Sequence, residues 1–120
     1  MTFEINSSAD ISEEFLMTLL CQVGEARAAF MDAMRASRRG EFEQAQALMK
    51  TGDEALVAVH KSQTSLIGFD QGEGKVTMTL ILTHIQDHIM TTMLCREMAE
   101  EINEIHQKLQ KVLDSEKAHI

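Results

Sequence analysis

Apolar residues recur at Leu16, Leu19/Leu20, Val23, Ala26, Phe30 and Ala33/Met34, at steps of three and four. This is the period of an amphipathic helix. Arg38 and Arg39 suit the negative end of such a helix, and Gly40 suits the left-handed position after it, so the pattern predicts a helix over about 11–38. Asp10 and Glu13 have the spacing of a capping box at its start, and the polar stretch 1–10 before it is expected to be a mobile tail. A second stripe, Phe42, Ala45, Leu48/Met49, Gly52, Leu56, Val59, Ser62/Gln63 and Leu66/Ile67, predicts a helix over about 41–68. Gly52 costs about 1 kcal/mol relative to Ala in a helix. The stripe continues through it, which points to a close helix contact rather than a break. So short a connection after position 38 forces the two helices antiparallel.

The stretch "GFDQGEGK" (68–75), with three glycines, is the one evident linker. Beyond it, positions 84, 88, 91, 95, 98, 102, 105, 109 and 112 alternate by four and three, a heptad seam on a helix expected over about 76–114. A second row, Leu80, Thr83, Asp87, Met90 and Leu94, lies beside it. At ~1.5 Å per residue this helix is ~58 Å long, against ~40 Å for the other two. The expectation is an all-α, antiparallel up-down-up three-helix bundle forming one domain over 11–120. A single bundle leaves part of the long seam uncovered, and closed, symmetric self-association is the simplest remedy.

Composition sharpens this picture. The 120 residues contain no proline and six glycines, as long helices with short connections require, and nine methionines do much of the apolar filling. A net charge of −8, with neither Trp nor Tyr, argues against nucleic acid, which needs a basic face and stacking platforms. No stretch reaches the length of a membrane span, and the acidic N-terminus does not resemble a signal peptide. Cys21 and Cys95 both fall in helical patterns and read as buried apolar residues of a reducing compartment, which places the protein in the cytoplasm.

The candidate chemistry lies in "THIQDHIMTT" (83–92), which sets His84, Asp87, His88 and Thr91 within ~100° of arc on the third helix. Three readings fit these residues. They form a satisfied polar network in a scaffold. Or His84 and His88 are an i, i+4 zinc pair, as in HExxH but without its Glu, with His60 of the second helix as third ligand in a hydrolase. Or one imidazole is a nucleophile towards phosphorus, since neutral imidazole is abundant near pH 7 and can take a phosphoryl group and pass it on. The third reading needs donors for the phosphate oxygens, and His88, Gln86 and the "HKSQT" residues His60, Gln63 and Thr64 are the candidates. His106 and His119 read as surface residues, and Cys95 as structural.

The segments "VGEARAAFMDAMRASRRGEFEQAQALM", "VHKSQTSLIGFDQGEGK" and "ILTHIQDHIMTTML" together resemble the enzyme IIA component of the lactose/cellobiose/chitobiose class of the bacterial sugar phosphotransferase system. The resemblance runs from residue 15 to about 113 and is carried by the signature H-x-Q-D-H-[LIM]-M-T-[TS]. It implies that His84 is phosphorylated on Nε2, and that the fold is a three-helix bundle assembled as a nine-helix homotrimer. It also implies that Asp87 lies at the three-fold axis, where a divalent cation such as magnesium is bound. Three carboxylates brought together must share protons or a cation, which agrees. The implied activity is a phosphotransferase step. Phosphate comes from the histidine-containing phosphocarrier protein and goes to a cysteine of enzyme IIB, for uptake of a β-linked disaccharide. His88 is then expected to support the site. Ile85 stands where the family more often has a small residue, and is expected to alter the rim of the site.

Overall fold

The computed structural model describes residues 4–118. After a short 3-10 turn at Ser8–Asp10 come three helices, α1 (Glu13–Arg38), α2 (Phe42–Asp70) and α3 (Leu80–Ala118), with no strand among the described residues. The chain runs up, down and up again, 67 Å in its longest dimension.

α1 starts at Glu13 because Ser12 caps it: the Ser12 hydroxyl accepts the Phe15 N–H at 3.1 Å, and Glu13 and Glu14 face the positive helix end. The capping box expected from Asp10 and Glu13 is therefore not formed. Ser12 stands closer to the first turn, and Asp10 closes the preceding 3-10 turn instead, its Oδ2 accepting from the Asn6 and Ser7 backbones. α1 ends in a Schellman closure. Gly40 takes φ 78°, its N–H reaches Ser37 O and the Glu41 N–H reaches Ala36 O.

α1 is the middle member of the bundle. It packs along both α2 and α3, which meet each other only sparingly. Its buried row is Phe15, Leu19, Val23, Ala26, Phe30, Ala33 and Ala36. Against α2 the packing is tight at Gly52, where a Cβ would lie 2.4 Å from Phe30 Cε1. Gly52 thus admits the Phe30 ring, as a close helix contact requires. The row that α3 buries is Leu82, Ile85, Ile89, Thr92 and Ala99. The heptad row read from the sequence lies beside it and faces mostly outward, because α1 meets α3 over the row of Leu82, Ile85, Ile89, Thr92 and Ala99. The Ser37 hydroxyl meets Asn103 Oδ1 at 2.7 Å near the far end of α1, and Arg96 clamps Asp53 of α2 with two hydrogen bonds. Beyond Gln110, which lies against the Gly40 turn, the described residues of α3 are all exposed.

Other expectations change. Within the stretch expected to be a mobile tail, Ile5 is buried among Phe15, Leu66, Leu82 and Ile85, and its N–H donates to Ser65 Oγ at 2.7 Å. An isoleucine at the open end of the bundle is better covered by the core than left in water. Residues 1–3 lie outside the described residues, as do His119 and Ile120. α3 begins at Leu80, not 76, because Asp70 captures the Val76 N–H and holds the chain extended. Cys21 is exposed, since it falls on the helix face opposite Leu19 and Val23. Cys95 is half-buried, and burial pushes its thiol above the usual value. His106 is half-buried rather than at the surface.

Candidate functional site

Ile85 and Ile89, 0% and 4% exposed, fix the rotation of α3 against α1. Ile85 is therefore core, and does not form the rim. With these two residues inward, His84, Asp87 and Thr91 stand exposed on the outer face in the second and third turns, and His88 is half-buried beside them. The His84 and His88 rings meet edge to face, centroids 4.4 Å apart and planes at 83°. The contact restricts how the His84 ring turns while leaving it open to solvent. The Thr91 hydroxyl donates to the carbonyls of Asp87 (3.0 Å) and His88 (3.3 Å), and Thr83 donates to Thr79 O. These hydroxyls are engaged with the backbone of their own helix.

Gln86 points the other way, to α2. Its side-chain amide and that of Gln63 exchange a reciprocal pair of hydrogen bonds, the one from Gln86 Nε2 to Gln63 Oε1 at 2.8 Å. The structure thus joins two of the residues expected at the site and makes them a strut between helices, one position from Ile85 and two from His84. His60 and Thr64 are exposed on α2 with no hydrogen bond or ring contact to His84 or His88. No three His, Cys, Asp or Glu side chains among the described residues come together as a metal site, so the zinc set of His84, His88 and His60 is not assembled. Asp87 is exposed and carries no ion pair among the described residues. One chain therefore offers an ion a single carboxylate there, and a site built on it needs further copies.

Two features escape the sequence reading. Asp70, at the end of α2, accepts the Val76 N–H at 2.9 Å, and this bond, with further backbone N–H groups of the loop, holds its carboxyl below the usual carboxylate range. An aspartate directly before a glycine-rich linker is the signal that would have found it. Ile67, Met78, Leu80 and Ile81 form an exposed apolar margin around the start of α3. Their place was hidden because the helix was expected to begin earlier.

A helical bundle that presents an imidazole on an outer face, in edge contact with a second ring, offers a nucleophile that can take a phosphoryl group and pass it on. The comparisons agree. The chain belongs to the family described as "PTS system, Lactose/Cellobiose specific IIA subunit", which matches residues 14–107. It is 41% identical over 106 residues to the N,N′-diacetylchitobiose-specific EIIA component of Escherichia coli K12, covering 88% of this chain and 91% of that one. It is 34% identical over 97 residues to the lichenan-specific phosphotransferase enzyme IIA component of Bacillus subtilis strain 168, covering 81% and 88%. Among solved structures it resembles IIA(chitobiose) in complex with HPr from E. coli, with TM-score 0.71 and 42% identity over 82% of this chain and 95% of that one. It also resembles the cellobiose-specific enzyme IIA of Bacillus anthracis, with TM-score 0.76 and 30% identity over 82% and 91%.

Proposed function

We propose that this protein is a cytoplasmic phosphoryl carrier. It takes phosphate on His84 from HPr, the histidine-containing phosphocarrier protein, and passes it to a cysteine of the cognate enzyme IIB, driving uptake of a β-linked disaccharide of the chitobiose or cellobiose kind. The observation that carries the reading is the exposed His84 ring held edge-on by His88 in a chain of this family. In the first step the His84 Nε2 lone pair attacks phosphorus, the P–N bond to the donor imidazole breaks, and Nδ1 keeps its proton. In the second, the enzyme IIB thiolate forms a P–S bond as the bond to Nε2 breaks. Neither step asks the chain for more than access and orientation. No helix among the described residues is long and apolar enough to cross a membrane, in keeping with a carrier that meets the permease through enzyme IIB.

The same reading includes a homotrimer. The outer row of α3 holds Met90 (67% exposed), Leu94 (58%), Ile105 (61%) and Val112 (56%), an apolar stripe that a single chain leaves wet. Packing three α3 helices together covers it and brings three Asp87 carboxylates near the axis. Oxygen-only ligands suit a hard divalent cation, magnesium, which would relieve their repulsion and serve assembly.

The relay itself is the test. Protein labelled from phosphoenolpyruvate through the general phosphotransferase proteins should lose its label to enzyme IIB, which then carries it on cysteine. Label that is never discharged to enzyme IIB overturns the reading.

A further inference from the structure

Immediately after Asp70 the chain takes three left-handed residues within four: Gln71 (φ 52°), Gly72 (70°) and Gly74 (73°). The Gln71 N–H closes on Ile67 O and the Glu73 N–H on Asp70 O, both at 2.9 Å. Across this coil Asp70 Oδ1 accepts the Val76 N–H, and the N–H groups of Gly74, Lys75 and Gly72 also bear on the same carboxylate. A carboxylate that accepts a main-chain N–H makes a strong, charge-assisted hydrogen bond. Only three residues separate Val76 from α3, where Thr79 Oγ1 caps the Leu82 N–H at 3.2 Å. The loop is thus tied to α2 at one end and to the first turn of α3 at the other.

The loop also walls a cavity of about 260 Å³. Asp70, Gly72, Val76 and Met78 form one side, and the Gln63–Gln86 strut forms another. Ile67 and Met78 are 61% and 59% exposed. Leu80, 89% exposed, stands one turn before His84 on the same face of α3, so a protein that brings a phosphoryl group in line with His84 lies against this margin.

We propose that Asp70 is a positioning residue for phosphoryl transfer to His84: its carboxylate fixes loop 71–76 as the rim on which the phosphorylated HPr is seated. This rests on the carrier reading above. Asp70 touches neither His84 nor the phosphate. Without its carboxylate the two glycines are free to leave the left-handed region, and Gln71 is disfavoured there. The donor must then order the loop on binding, a cost that weakens docking and leaves the chemistry at the imidazole alone.

The test compares two donors on the full chain. Phosphorylated HPr needs the rim, and phosphoramidate, a small molecule, does not. For Asp70→Ala the KM for phosphorylated HPr should rise about fivefold or more, with labelling by phosphoramidate unchanged. Asp70→Asn, whose side-chain oxygen can still accept the Val76 N–H, should fall between Asp70→Ala and the wild type. Should Asp70→Ala lose its helical circular dichroism, Asp70→Asn decides by the same two readouts. An unchanged KM for phosphorylated HPr overturns the proposal, as does a parallel fall in labelling by phosphoramidate. A wild-type chain labelled by phosphoramidate but never by phosphorylated HPr overturns the carrier reading and this proposal with it.

Discussion

Single residues carry the chemistry, and they differ in how openly the sequence displays them. His84, Asp87 and His88 stand in one short motif whose residue types already state what they can do. The sequence could not show that Gln86 turns inward to Gln63 while His84 turns outward. That pairing spans 23 positions and depends on the register of two helices. Ile85 and Cys21 were misplaced for the same reason, since the face that a helix buries is settled by its neighbour. His88 touches His84 only through its ring edge, so His88→Ala should leave His84 labelled but slow the transfer by about tenfold, through looser orientation. Initial rates with phosphorylated HPr measure this, and an unchanged rate would reduce His88 to packing. Asp70 gives a pH dependence. Its carboxyl is held below the usual range in the folded chain, so its contribution is complete above about pH 4 and is lost as pH falls through the lower folded value. Exchange protection of the Val76 amide should therefore survive at neutral and mildly acidic pH and vanish only in stronger acid. Loss of protection near neutral pH would contradict this.

The helices were legible as elements because their apolar period is long and unbroken. Their ends were not, because local hydrogen bonds decide them. Ser12 displaced Asp10 as the cap of α1, and Asp70 held Val76 out of α3. Gly52 is the clearest case of a residue chosen for the contact between two elements. A methyl group there would meet the Phe30 ring at 2.4 Å, far inside van der Waals distance. Overpacking of this kind costs about 1–3 kcal/mol, and the better helix propensity of alanine returns only about 1 kcal/mol. Gly52→Ala should thus lower the melting temperature by several degrees. Gly24→Ala, with nothing within 4 Å of its Cβ, should raise or preserve it. A Gly52→Ala protein as stable as the wild type would mean that α1 and α2 lie farther apart than described here.

At the scale of the whole molecule, one chain leaves its longest helix half covered. The excess length of α3 and the existence of a wet apolar row were readable from the heptad spacing, but which row meets α1 was not. The trimer proposed from that row should sediment at about three times the 13.5 kDa chain mass, and a stable monomer at micromolar concentration would refute it. If Asp87 holds magnesium at the axis, a chelator should weaken the wild-type trimer and leave Asp87→Leu indifferent, since an apolar residue removes both the repulsion and the ion. Equal sensitivity of the two proteins would exclude Asp87 as the ion site. The proposed relay runs through His84, and one experiment addresses it directly. The wild type, His84→Ala, His60→Ala and His106→Ala are each incubated with phosphoenolpyruvate and the general phosphotransferase proteins, and acid-labile phosphate is counted per chain. The wild type, His60→Ala and His106→Ala should each take up phosphate on a single histidine, and His84→Ala should take up none. Labelling that persists in His84→Ala would contradict the account.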